Sequence, residues 1–426
     1  MKVLLVGGGG REHALAWKIA QSPLVDTLVA APGNPGIARH ARCVPIPVDA
    51  HDDLVTLAER EGIDFTVVGP EAPLVAGLCD RFAERGLLAL GPDAKAAQLE
   101  GSKAFSKDLM VRHKIPTAQS RTFDVVDEAL RYEIKIGAPL VVKADGLAAG
   151  KGAFVCMTLE AAAEATRACM EERVFGAAGA IVVVEEFLRG EEVSFFALAN
   201  GVDALALGAA QDHKTVFDGD RGPNTGGMGA YSPVPGFDAE LEGRVMETIV
   251  RPTVAALASQ GSPYRGVLFV GLMLTKEGPK VLEYNCRWGD PECQVIMTRL
   301  AEDIVPLLLA AAKGGSLPDH VAWRPQPAVC VNLVSGGYPG RYPTGLAIDG
   351  VETGAPGDVQ VFHAGTAERD GRLVTAGGRV LGVTATGRDV RDATSRAYDA
   401  VARIRFDGMH YRRDIAAKAI DRREGA

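Results

Sequence analysis

The stretch LEYNCRWGDPECQV, residues 282–295, gathers more functional groups than a structural turn needs. Glu283 and Asn285 stand two apart, a spacing that puts both side chains on one face of a strand. A carboxylate and an amide oxygen make the hard-oxygen pair suited to Mg²⁺ that bridges nucleotide phosphates. Arg287 joins that face if the strand continues, where its guanidinium would offset charge on a phosphoryl group or a carboxylate. Gly289, Asp290 and Glu292 follow in a Gly-Asp-Pro turn, placed to cap a helix or to bind an ammonium group.

A second cluster, DHKTVFDGDRGPNTGGMGAYSP (212–233), combines Asp212, Lys214, Asp218, Asp220, Arg221 and Asn224 with five glycines. It reads as an active-site loop that includes Thr225, Gly226 and Gly227; the plain alternative is a flexible surface linker. The segment VVKADGLAAGKG (141–152) resembles a P-loop only on the surface. Gly152 stands where Ser or Thr should bind the metal, and a strand rather than a helix follows. A hairpin built on Gly146, Gly150 and Gly152 would instead close over phosphates as a lid, donating backbone N–H groups. Lys143 lies in an otherwise apolar strand, so its charge needs a partner; Lys151 reads equally well as exposed. In VEEFLRGEEVS (184–194), backbone near Glu185, Glu186, Phe187 and Leu188 fits an adenine edge. Glu191 or Glu192 would then hold ribose hydroxyls, against the alternative of an ordinary acidic hairpin.

The chain opens KVLLVGGGGREHALAW (2–17), a strand run, a turn at Gly8, Gly9 and Gly10, and a helix pattern. A dinucleotide fold needs an acidic residue at the tip of the second strand, and VAAPGNPG supplies none. A substrate phosphate at the helix N-terminus is the better reading, with Arg11 as counter-charge, beside the alternative of a tight turn with no ligand.

These groups need a frame. Over 1–100, apolar runs ending in Gly or Pro alternate with helix patterns at 12–20, 54–61 and 73–85, which predicts a parallel α/β sheet. Its ligand belongs beyond the carboxyl ends of the strands, where 7–10, 69–71 (with Glu71) and 91–93 fall. A helix capped by Ser102 and ended before Pro116 comes next, then a helix at 125–136, strand, glycine loop and strand, a helix at 159–173, and the strand AIVVVEEFL. Beyond 191 come β-rich runs, a long helix at 239–260, strands at 267–274 and 280–284, and helices at 291–299 and 303–312. From 328 a smaller α+β section begins, with a last helix at 390–404.

Composition bounds the class. A chain of 426 residues with 47% hydrophobic and 23% charged residues suggests about three globular domains. A net charge of −8 gives no support for a nucleic-acid partner, and no apolar run is long enough for a membrane span. Seven scattered cysteines without a CxxC pair indicate neither zinc nor a disulfide framework, so buried free thiols and a cytoplasmic address are expected.

Together the motifs resemble the ATP-grasp ligases and, within them, the phosphoribosylamine–glycine ligase (glycinamide ribonucleotide synthetase) family. GGGGREHALAW, SKAFSKDLMVRHKIPT, VVKADGLAAGKG, EEFLRGEEVS, PNTGGMGAYSP and RWGDPECQ follow that family's order over nearly the whole chain. Trp288 stands where Phe is usual and Cys293 where Thr is common. The resemblance implies an N-terminal Rossmann-like (pre-ATP-grasp) domain at 1–100 and an ATP-grasp domain at 101–315, whose lid covers about 120–190. A C-terminal α+β domain at 316–426 completes it. It implies ATP as co-substrate with Mg²⁺ or Mn²⁺, small-molecule partners only, and a monomer. The implied reaction joins glycine to phosphoribosylamine through a glycyl phosphate. In that assignment Lys103 and Lys143 hold phosphates, Glu283 and Asn285 the metal, residues 185–188 adenine, and Glu192 or Glu191 ribose. Arg287 steadies the glycyl phosphate beside Asp290, Asp212 and Lys214. The glycine turn at Gly8, Gly9 and Gly10, with Arg11, falls to the amine's side, and Glu71, Asn224, Thr225, Gly226, Gly227 and Gly289 are further substrate-binding residues.

Overall fold

Residues 1–148, 151–351 and 358–424 are described in the computed structural model. Five strands near the N-terminus pair in parallel in the order Arg42–Cys43, Thr27–Pro32, Lys2–Gly7, Phe65–Val68, Ala89–Leu90. Both faces of the sheet are covered, which is why its strands read as unbroken apolar runs rather than alternating ones. The first strand hands over to helix Gly10–Ile19 at Gly7, whose φ of +132° and close approach to Glu12 (a Cβ would lie 2.4 Å from Glu12 Cγ) admit glycine alone.

Four antiparallel strands, in the order Ser120–Phe123, Val182–Glu186, Leu140–Ala144, Ala153–Cys156, form a separate small sheet. With helices Val126–Ile136 and Leu159–Met170 it encloses its own core of Phe123, Ala129, Leu140, Val142, Ala162 and Val184. A unit that buries its apolar surface within itself can tilt as a body over its neighbour.

The third sheet is the frame of the molecule. Eight strands run in the order Gly278–Asn285, Arg265–Thr275, Glu191–Asn200, Ala204–Asp212, Gly229–Ser232, Ala328–Val334, Arg379–Thr386, Val359–His363. The sheet therefore passes without a break from the central section into the C-terminal one, through the antiparallel pairing of Gly229–Ser232 with Ala328–Val334. The N-terminal sheet shares a core with it: Val3, Leu5 and Leu15 cluster with Phe196, Phe269 and Val295.

Several elements differ from the sequence expectation. The helix expected over 73–85 is two, Glu71–Val75 and Leu78–Glu84, because Gly77 turns left-handed at φ +81°. The long helix keeps its extent, but Met246–Val250 is a π turn just ahead of Pro252, whose missing N–H and bulky ring disturb the regular ladder. The glycine-dense stretch at 218–229 is not an irregular loop: Thr215–Phe217 and Arg221–Asn224 pair as a ribbon, and Gly229–Ser232 enters the large sheet. The helix Val390–Val401 is not the last, since Ala417–Glu424 follows it. All seven cysteines are free; six are buried, and Cys43 is half-buried instead.

Candidate active site

Two cavities meet between these sheets. The outer one, a cleft of about 1350 Å³, has two apolar plates. Val141 and Val155 of the small sheet form one, and Leu188, Met273 and Leu282 the other. Glu185, Glu186, Phe187 and Leu188 border it at the end of Val182–Glu186, and Glu191 and Glu192 begin the next strand. A planar base fits between such plates, with backbone polar groups at its edge. The Glu185 side chain is buried between Lys143 (3.1 Å) and Lys107 (3.2 Å). Lys143 lies on an interior strand, not at a sheet edge, and also donates to the Leu282 carbonyl at 2.7 Å. At the acidic corner, Glu192 pairs with Lys214 (2.5 Å) while Glu191 accepts from Gln211 (3.0 Å).

The inner cavity, about 480 Å³, draws on all three sections. Arg11 and Glu71 come from the first turns of the helices Gly10–Ile19 and Glu71–Val75 that follow two N-terminal strands, Glu100 and Lys103 from later helices, and Glu283, Asn285 and Arg287 from the end of the large sheet. The strand stops at Asn285, yet Arg287 still reaches the same cavity, held by Glu71 (3.1 Å), Glu100 (2.8 Å) and the Trp288 carbonyl (3.2 Å). Burial raises the Glu71 carboxyl, but Arg287 and Arg11 outweigh it and hold the group at about 2. Asp290 accepts from Gln294 (2.8 Å), from the Arg11 N–H (3.3 Å) and from Arg379 (3.4 Å), so it anchors rather than caps the helix Glu292–Arg299. At the glycine turn, the Gly9 N–H is answered by Glu12 (2.7 Å). Arg11 donates to Glu12 (2.6 Å) and to the Trp288 carbonyl (3.1 Å).

Asp212, Lys214, Asn224 and Glu283 line both cavities and form the wall between them. Glu283 stays ionised at about 2, because Lys103, Lys214 and Lys143 together overcome its burial. Asp212 goes the other way: burial and the neighbouring Glu292 push it up to about 8, and its Oδ1 has no hydrogen-bond partner among the described residues. The Lys214 ammonium is raised, burial being outweighed by Glu192, Asp212 and Glu283. Among the described residues no three His, Cys, Asp or Glu side chains gather as a metal cage. An ionised carboxylate with one amide oxygen fits a Mg²⁺ that takes its remaining ligands from phosphates and water.

The comparisons with known proteins agree with this geometry. Residues 1–100, 101–293 and 328–418 match the N, ATP-grasp (A) and C domains of phosphoribosylglycinamide synthetase. The chain belongs to the phosphoribosylglycinamide synthetase family. It is 53% identical over 422 residues to the phosphoribosylamine–glycine ligase of Agrobacterium fabrum (strain C58), covering 99% of each chain. Against that of Pseudomonas aeruginosa it is 51% identical, covering all of both. A crystal structure of the Thermotoga maritima phosphoribosylamine–glycine ligase superposes with a TM-score of 0.84 at 36% identity, over 98% of this chain and 100% of that one. A biotin carboxylase from Campylobacter jejuni, 14% identical with a TM-score of 0.75 over 98% of both chains, shares the fold.

Within this phosphoribosylglycinamide synthetase fold, some of the remaining expected residues line the inner cavity, while Gly8, Gly9, Gly10, Gly227 and Gly289 stand behind its lining. Asn224, Thr225 and Gly226 line the inner one, and Gly227 and Gly289 adjoin Asp290 and Glu292. Gly9 and Gly10 stand against Asp290, and Gly8 against the Gly33 backbone. Gly146 and Gly152 line the inner cavity from the lid, while Lys151 also donates to the Pro339 carbonyl at 2.9 Å. Gly150 lies outside the described residues. Sequence reasoning missed four groups. Asp145 ties the lid strand to the helix start by accepting from Ser102 (2.9 Å) and Ala104 (2.6 Å). Glu100 and Arg379 carry no motif, and Lys107, inside SKAFSKDLMVRHKIPT, reads as one charge among several on a helix.

Proposed function

We propose that the protein is an ATP-dependent ligase joining glycine to 5-phospho-β-D-ribosylamine, giving glycinamide ribonucleotide, ADP and phosphate, the second step of de novo purine synthesis. The names of its relatives support that reading, and one observation carries it to this site: the wall of Asp212, Lys214, Asn224 and Glu283 shared by a nucleotide-sized cleft and a smaller charged cavity. ATP in the outer cleft would present its terminal phosphate at that wall, where a carboxylate in the inner cavity meets it.

A carboxylate is a poor electrophile, so glycine is first converted to glycyl phosphate, which the ribosylamine nitrogen then attacks. Lys103 and Lys143 hold nucleotide phosphates, residues 185–188 frame adenine, and Glu192 or Glu191 takes the ribose. Glu283 and Asn285 would hold the divalent cation, Mg²⁺ or Mn²⁺, which when bound offsets charge on the transferring phosphoryl group. Arg287 steadies the acyl phosphate, its planar fork already aimed by Glu71 and Glu100. Asp212, with its raised affinity for a proton, accepts the one that the attacking amine must lose. The lid excludes water that would hydrolyse the acyl phosphate. The glycine turn with Arg11 and Glu71, the 224–227 segment and Gly289 are assigned to phosphoribosylamine. A monomer is consistent with a site assembled from one chain, and seven unpaired thiols favour the cytoplasm.

The test is ADP release with phosphoribosylamine generated in situ. Release that requires both glycine and the amine supports the reading; equal release with either one omitted contradicts it.

A further inference from the structure

Beneath the nucleotide cleft lies a buried triad in which the mechanism above gives Lys143 a phosphate contact and leaves Lys107 without a role. Lys107, on the helix Lys103–Arg112, faces Glu185 Oε1 at 3.2 Å, and Lys143 faces Glu185 Oε2 at 3.1 Å. Side-chain exposures of 6%, 2% and 7% for Lys107, Glu185 and Lys143 put all three charges out of water. Lys143 borders the cleft and Lys107 does not. Lys107 also donates to Thr117 Oγ1 at 2.7 Å, and Thr117 in turn donates to the Val281 carbonyl at 2.7 Å. The group thus ties together the helix, the lid and the large sheet at the point where a nucleotide would enter.

We propose that Lys107 is a positioning residue for ATP, acting through Glu185 to set where the Lys143 ammonium stands and how much of its charge remains for a phosphate. The proposal rests on the cleft being the nucleotide site. A lysine has three N–H donors. The Leu282 carbonyl occupies one on Lys143 and Glu185 stands beside the ammonium as an ion pair, leaving donor capacity for a ligand in the cleft. Glu185 is shared between two cations, so its charge only partly neutralises Lys143. Without Lys107, the whole carboxylate charge falls on Lys143, and the lysine's attraction for phosphate drops.

The charged groups facing Lys107 are Glu185 and Lys143 on the lid strands and, farther off, Glu186, whose carboxylate accepts from the Gln119 N–H at 2.9 Å. Burial lowers the Lys107 ammonium to about 8, Glu185 opposing and Lys143 reinforcing the fall. A rise in pH through that range removes the same charge that Lys107→Met removes.

The experiment measures affinity for a non-hydrolysable ATP analogue by calorimetry between pH 7 and 9.5, with kcat measured alongside. Wild type, Lys107→Met, Lys107→Arg and Lys143→Met are compared. Lys107→Met should bind the analogue about tenfold more weakly at pH 7, with kcat within about threefold of wild type. Wild type should lose affinity as pH rises through about 8. Lys107→Arg, which keeps its charge, should hold its affinity throughout. Unchanged affinity in Lys107→Met, or an alkaline loss in Lys107→Arg equal to that of wild type, overturns the proposal. If Lys107→Met fails to fold, the wild-type series and Lys107→Arg decide alone: a flat wild-type profile overturns it. Lys143→Met separates the two levels. Full affinity there removes the nucleotide reading of the cleft, whereas a loss in Lys143→Met with none in Lys107→Met removes only the role of Lys107.

Discussion

The outer cleft and the inner cavity differ in how they are built. The cleft takes its plates and rim from strands and turns of the small and large sheets, and most of its contacts fall in short, contiguous motifs. The inner cavity collects Arg11, Glu71, Glu100, Asp212, Arg287, Asp290 and Arg379, spread over nearly the whole chain, and pairs their charges. The cleft offers apolar surface and one lysine-rich floor, suited to holding a nucleotide. The cavity offers fixed opposite charges, suited to a reaction in which charge moves. The contrast supports the proposal that adenine binding and chemistry sit on separate parts of this frame, joined at the wall of Asp212, Lys214, Asn224 and Glu283.

Substitutions can break that division. Arg287→Ala should lower kcat about a thousandfold while the KM for ATP stays within about twofold, because its guanidinium acts on charge that develops in the inner cavity. Arg287→Lys should recover only part, since a point charge cannot replace a planar fork. An effect confined to the KM for ATP would move Arg287 to the nucleotide side. Glu283→Gln, on the shared wall, should cut turnover about a hundredfold and raise the Mg²⁺ concentration needed, with little loss of thermal stability. Normal turnover across a Mg²⁺ titration would remove Glu283 from the metal pair.

Smaller effects sharpen the comparison. Asp212 is ionised only above about 8, so if it takes the amine proton, kcat should rise as pH increases through that value. Asp212→Asn should flatten this rise and lower its plateau about tenfold. An unaltered pH profile in the variant would assign the proton elsewhere. Arg379 donates to the carbonyls of Gly226 and Asp290 and pairs with the Asp290 carboxylate. Arg379→Ala should therefore raise the KM for glycine or phosphoribosylamine severalfold and leave that for ATP alone. An equal rise for ATP would mean that the two compartments are not separate.

The same contrast governs what could be read from the sequence. Glu283 and Asn285 were legible because the period of a strand puts alternate residues on one face, and Lys143 because a charge in an apolar strand demands a partner. The parallel N-terminal sheet was legible from its continuous apolar runs. Arg379, Glu100 and Lys107 were not. Each sits in a local context that reads as ordinary, and its partner lies far along the chain: Glu100 meets Arg287, and Lys107 meets Glu185. The ribbon at 215–224 was hidden for a related reason, since glycines that suggest a loop also serve tight antiparallel turns.

The central claim is that the inner cavity activates the carboxylate of glycine before the amine attacks. Glycine labelled with heavy oxygen in its carboxylate tests this most directly. The account predicts one labelled oxygen in the released phosphate per turnover, because the glycyl phosphate bridge carries it out. Unlabelled phosphate with normal product formation would show that water takes the phosphoryl group and the carboxylate oxygen leaves as water, so that no glycyl phosphate lies on the path, and would contradict the account.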